Sequence, residues 1–270
     1  MPRRVPGTHF LHNLVERRSL LVQLVRRDFE QRFVGSAVGW VWGLIHPLVL
    51  LLSWVYVFGF LMGATAPPTA GTHYYALYVF SGMLPWMLFS ETVQRSASSL
   101  LDHANLITKT VFPAEFVPVS VFFSTLASNL LALTLLLAAT LIWDKHIGIF
   151  AFMLPVYMLL IGLLAVGIGW IAASLHVFLR DTAQMVSVVL TFWFWMTPIM
   201  IGAEKVPQRL KFLLIANPMY YAVKMYREAL FTAKAPGWED AVALVASSTA
   251  VFLLGGLFFR YMKKGFADVL

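Results

Sequence analysis

Cysteine is missing from all 270 residues, which excludes disulfides and thiolate metal sites. Charge is scarce as well. Only 12% of residues are Asp, Glu, Lys or Arg, against about 25% in soluble domains. Between Arg32 and Glu91 there is none at all. A loss of charge over that length marks a chain leaving water for lipid. The sequence has no G-x-x-x-x-G-K-S/T, so no phosphate-binding loop for ATP, and no H-E-x-x-H zinc motif. No acidic or basic residue lies at mid-depth of any apolar run, which argues against a proton-coupled pump.

What is present is hydrophobic: 60% of the residues, with a mean hydropathy of +0.77. Backbone groups in lipid are satisfied only by helices or a closed barrel. Long apolar runs without period-2 alternation favour helices. The net charge of +7 reads as basic residues flanking spans and meeting lipid headgroups. No basic block or recognition motif accompanies it, so nucleic acid is not an expected partner. The charged first 32 residues contain no apolar segment of the signal-peptide type.

Residues 11–33 carry a helical period. Leu11, Leu14, Val15, Leu21, Val22, Val25, Phe29 and Phe33 fall within an arc of roughly 120° at about 100° per residue. Polar residues lie opposite, which predicts an amphipathic helix on the membrane surface. Six spans are expected, at about 38–62, 74–92, 116–143, 150–178, 182–201 and 241–259. Pro85 should kink the second. The polar stretch 91–115 reads as one or more short interfacial helices. Residues 204–240 hold ten charged residues and two apolar runs, 212–216 and 219–223. Neither run can cross about 30 Å at 1.5 Å per residue. They can dip in and return if protein covers their backbone. Six spans put both termini on one side. Thirteen of the 20 Lys and Arg lie there, which makes that side the cytoplasm.

Three groups of residues invite a functional reading. His46, followed by Pro47, is expected to bond a carbonyl that the proline leaves free; titration during transport is the rival reading. The aromatics, 15% of the chain, cluster at Trp40, Trp42, Tyr56, Phe58, Trp86, Phe89, Trp193 and Trp195. Interfacial belts account for Trp40 and Trp42. Trp193 and Trp195 sit deeper, where an aromatic wall would let sugar rings stack and slide. The outer cations Lys205, Arg209, Lys211, Lys224 and Arg227 meet either lipid phosphate or a phosphate-bearing substrate.

Several of these residues form an ordered pattern. Arg27-Asp28 and Arg32 precede Gly35-Ser36, Gly39, Trp42 and Pro47. Gly82, Pro85, Trp86, Phe89 and Ser90 follow, then Asn105, Lys109, Phe112-Pro113 and Pro118. Arg180-Asp181 and Asn217-Pro218 with Arg227 complete it. The pattern resembles the membrane subunit of ABC-2 type exporters, most closely those moving O-antigen and related polysaccharides. The resemblance covers nearly the whole chain. It implies a single domain over residues 1–270, an all-α integral membrane protein with six transmembrane helices. The N-terminal amphipathic helix and an outer re-entrant segment at Asn217, Pro218 and Arg227 complete the implied architecture. It implies a permease rather than an enzyme, with no catalytic residue and no metal or cofactor of its own. ATP and magnesium would bind a partner. The assembly would be a homodimer with two ATPase subunits in the bacterial inner membrane, carrying lipid-linked polysaccharide. Arg27, Asp28, Arg32, Asp102, His103, Asn105 and Lys109 would form the face that couples to the ATPase. Capsule exporters of the group lack the Gly-Ser-x-x-Gly form, which favours an O-antigen-like substrate. Teichoic-acid exporters share the pattern and remain an alternative, as does export of a small drug or lipid. An integral-membrane glycosyltransferase or phosphatase would need clustered acidic or His/Arg residues at a membrane face, and the sequence has none.

Overall fold

A computed structural model describes residues 18–32, 35–36, 38–109, 112–232, 235 and 237–266. These hold ten α-helices: α1 (Arg18–Gln31), α2 (Trp42–Trp54), α3 (Tyr75–Asp102), α4 (Ala104–Lys109), α5 (Phe116–Trp143), α6 (Leu154–Phe178), α7 (Thr182–Met196), α8 (Lys211–Ile215), α9 (Pro218–Phe231) and α10 (Trp238–Met262). There is no strand among the described residues; one antiparallel bridge, Thr65 to Tyr74, closes the loop before α3. A 3-10 turn over Gly39–Val41 leads into α2, and α2 runs on into a π-helical stretch, Val55–Leu61. Positions 11–17 and Phe33 of the expected amphipathic helix lie outside the described residues.

Among the described residues, four helical stretches are long and apolar enough to cross a membrane: Gly39–Leu61, Phe116–Trp143, Ile149–Phe178 and Trp238–Gly265. The other two expected spans fall on α3 and α7. α3 carries Glu91, Arg95 and Asp102 in its second half. α7 has 15 residues, about 22 Å at 1.5 Å per residue.

α3 and α6 form the middle of the bundle. α3 packs on α5, α6, α7 and α9 and buries 18 of its 28 residues, Leu77, Phe80, Leu84 and Leu88 completely. α6 in turn packs closely on α10. Small residues make that crossing possible. A Cβ on Gly167 of α6 would lie 2.6 Å from the Val251 carbonyl oxygen of α10, and Gly255 of α10 faces Gly167 directly. Trp170 and Phe252 close the same seam at 4.8 Å between ring centres.

Two expectations change. The stretch 91–102 is not a separate interfacial helix; it continues α3 without a break through the buried Pro85. Thr92, Val93, Ser96, Ala97, Ser99 and Leu100 are buried at helical spacing, and the charges between them find partners, described below. Only α4 is a separate short helix. His46 bonds no carbonyl: it is exposed and makes no hydrogen bond among the described residues, whereas Pro47 is buried. The apolar runs of 204–240 fall on α8 and the first half of α9. α9 buries eight of its 14 residues against α3, α6 and α10, so protein covers its backbone.

Candidate functional site

At the end of the bundle where α1 meets α3 and α5, four charged side chains interlock. α1 lays Leu21 and Leu24 on α5, which turns Asp28 toward α3. Arg95 of α3 reaches both carboxylate oxygens of Asp28 through one guanidinium nitrogen, 2.8 Å from each. Arg32, just beyond α1, lies 2.9 Å from the Glu91 carboxylate. It also donates to the hydroxyls of Thr125 at 2.7 Å and Ser128 at 2.9 Å, both on α5. Burial pushes the Arg32 guanidinium below its ordinary range. The Glu91 carboxylate pulls the other way, Arg95 adds repulsion and Asp28 attraction. Every charge in the cluster has an opposite partner, which is what keeps so polar a set tolerable away from water. The sequence reading placed Asp28 and Arg32 on a face presented to a partner. The structure turns them inward. Arg27 is exposed and has no ion pair among the described residues.

The α3–α4 corner lies at this same end. Asp102 is exposed and accepts a hydrogen bond from Ser98 at 3.1 Å. His103 ends α3, with its Nδ1 2.8 Å from the Ser99 carbonyl oxygen. Asn105 is exposed. Lys109 closes α4; its side chain lies outside the described residues. Farther along, Lys263 pairs with Glu115 at 2.7 Å and ties the end of α10 to the start of α5.

The other end of the bundle is organised by α9. Asn217 caps it, accepting from the Met219 amide at 3.0 Å. The same side-chain oxygen accepts the Trp193 indole N–H at 2.8 Å, and the Asn217 amide donates to Thr197. Pro218 occupies the first turn, where its missing N–H costs nothing. Arg227 then reaches from α9 to the carbonyls of Pro198, Ile199 and Tyr78 and stacks 3.6 Å above the Tyr78 ring. Gly82 makes room for it: a Cβ there would lie 2.7 Å from the guanidinium. Arg227 thus closes the turn after α7 onto α3. Lys224 is also paired, with Asp240 at 2.6 Å.

The proposed aromatic wall divides. Trp86 and Phe89 are buried in the core on the face of α3 that meets α7. Trp193 is half-buried, edge-on to Phe89 at 5.1 Å and held by Asn217. Phe58 packs edge-on against Tyr75 at 4.9 Å. Trp40, Trp42, Tyr56 and Trp195 remain exposed. The α3–α7 contact therefore takes up Trp86 and Phe89 entirely and Trp193 in part. The four exposed rings lie on α7 and on the first helical stretch.

A model of the ABC-2 type transporter family matches residues 19–231. The chain belongs to the ABC-2 type transporters. It is 28% identical to an O-antigen export system permease protein, RfbA, of Myxococcus xanthus, over 96% of this chain and 98% of that protein. A Klebsiella pneumoniae permease of the same name is 24% identical over 93% of this chain and 95% of its own length. The Escherichia coli polysialic acid transport protein KpsM is 24% identical over 87% and 89%. Within this ABC-2 chain, sequence reasoning missed Glu91, Arg95, Thr125 and Ser128. A signal was available: Glu91 and Arg95 are the only charges between Arg32 and Asp102, and they stand four residues apart, as do Asp28 and Arg32. Among the described residues no cluster of three or more His, Cys, Asp or Glu could hold a metal.

Proposed function

We propose that the chain is the channel-forming subunit of an ATP-driven exporter that moves an O-antigen-like, lipid-linked polysaccharide from cytoplasm to periplasm. Two copies form the path, and two separate ATPase subunits supply the energy. In this reading α3 and α7 join the four apolar helices as spans, and α1 lies along the cytoplasmic interface. α8 and α9 form the outer re-entrant segment, and both termini face the cytoplasm of a bacterial inner membrane. The permease relatives named for O-antigen export support the cargo. A capsule polysaccharide export protein of Neisseria meningitidis matches over the same 96% of the chain, but at 22% identity against 28%.

The observation that carries the mechanism is the ionic bridge from α1 to α3. A surface helix held by Asp28–Arg95 and Arg32–Glu91 cannot move without moving α3. α3 runs 28 residues unbroken, about 42 Å. A displacement of α1 by an ATPase docked at Arg27, Asp102 and Asn105 therefore reaches the Tyr78–Arg227 contact at the far end. Trp40, Trp42, Tyr56 and Trp195 are the rings available to line a path between copies.

The test is complementation. Cells lacking the chain should accumulate lipid-linked polysaccharide inside and regain surface polymer when it is restored. The purified subunit alone should hydrolyse no ATP. Surface polymer that is unchanged without the chain, or turnover by the lone subunit, refutes the proposal.

A further inference from the structure

A groove of about 480 Å³ lies between the end of α7 and the segment leading into α8. Its size falls within the roughly 300–1,000 Å³ of ordinary ligand sites. Its walls are apolar, among them Trp195, Ile201, Val206, Leu210 and Leu213, and Lys205 is the one charged residue lining it. Glu204, next in sequence, turns away to a separate cavity beside Arg227 and Tyr78. Arg209 and Lys211 follow on the same segment. Among the described residues none of Lys205, Arg209 and Lys211 has a carboxylate partner, whereas Lys224 and Lys263 are paired. Trp195 and Ile201 of its lining, and Phe212 and Ile215 beside Leu213 and Leu214 in sequence, are all more than half exposed. An apolar slot with exposed apolar side chains in and next to its lining, one unpaired cation in its wall and two more on the same segment, is complementary to a molecule with a long hydrocarbon chain and an anionic head.

We propose that this groove binds an anionic membrane phospholipid, one acyl chain lying against Val206, Leu210 and Leu213 and the phosphate meeting Lys205. The groove chemistry supplies selectivity in two parts. Apolar contact holds the chain irrespective of headgroup, and Lys205 favours a net negative head, since one cation near a lipid surface is worth about fivefold in binding. The site does not depend on what the exporter carries.

The experiment uses the full chain purified with its ATPase partner, delipidated, and titrated with phosphatidylglycerol or phosphatidylcholine under native mass spectrometry. Phosphatidylglycerol should be retained at one molecule per copy, and phosphatidylcholine at least fivefold more weakly. Lys205→Glu should abolish that preference, and Lys205→Arg should keep it. Leu213→Trp, which fills the slot, should weaken both lipids. Millimolar inorganic phosphate should displace neither. Equal retention of the two lipids by the unaltered protein, or a preference that survives Lys205→Glu, overturns the proposal. So does displacement by phosphate alone. So does the absence of any retained lipid, the result expected if a second copy of the chain closes the groove.

Discussion

Removing Asp28 should reveal how firmly α1 is fastened. In Asp28→Ala the Arg95 guanidinium loses both carboxylate contacts at 2.8 Å. Breaking a fully buried pair costs about 3–5 kcal/mol because the surviving charge is stranded. The Asp28 side chain is 12% exposed and that of Arg95 29%, so water recovers part of the loss, and about 2–3 kcal/mol is expected. Arg95→Ala should cost about the same. Because each single change strands the other's charge, the double variant should be less destabilised than the sum by about 1–2 kcal/mol. Reversible unfolding in mixed detergent, followed by tryptophan fluorescence, yields the four free energies of the cycle. In a second assay, Asp28→Arg and Arg95→Asp should each depress surface polysaccharide while the ATPase partner still turns over, and the pair combined should restore it. Additive free energies, or a charge swap that restores nothing, would show that the contact neither stabilises α1 nor transmits its movement.

Other expectations follow from single contacts. Trp193→Ala should destabilise the chain by about 2–4 kcal/mol, because it opens a cavity beside Phe89 and removes the donor to Asn217. Trp195→Ala, at a side chain 69% exposed, should leave the unfolding midpoint within about 0.5 kcal/mol of the unaltered chain; the same detergent unfolding assay compares them. Gly255→Ala pushes α10 off Gly167 of α6 and should cost about 1–3 kcal/mol, with Gly255→Ser no better. Arg227→Lys should fail to rescue Arg227→Met, since an ammonium cannot span the carbonyls of Pro198, Ile199 and Tyr78 together; protease sensitivity of the 198–210 segment reads the difference.

The sequence displayed some features openly and concealed others for physical reasons. α5, α6 and α10 are long apolar runs, and a span is recognisable from composition alone. Asn217-Pro218 stood out as part of the family pattern; its capping role, although confined to three residues, was not read from the sequence. The true length of α3 was not legible. Glu91 and Arg95 look like the end of a span until their partners are known, and those partners stand 59 and 67 positions away. Trp193 and Trp195 are two positions apart, so on a helix they face nearly opposite ways. Reading both as one aromatic wall overlooked that spacing. His46 was misread because proline frees a carbonyl without obliging any particular donor to fill it.

The four interlocked charges also act as a vernier between α1 and α3. The pairs run in opposite chain order, Asp28 with Arg95 and Arg32 with Glu91, and within each partner the two charges are four residues apart. Slippage by one turn, 5.4 Å, in one direction sets Asp28 against Glu91. In the other direction it sets Arg32 against Arg95. Either step exchanges attraction for repulsion and strands the two remaining groups. A one-turn ratchet, a common way for packed helices to switch, is therefore closed to this pair. What is left to them is to move together, so in the proposed mechanism a stroke on α1 would carry α3 with it instead of sliding past it.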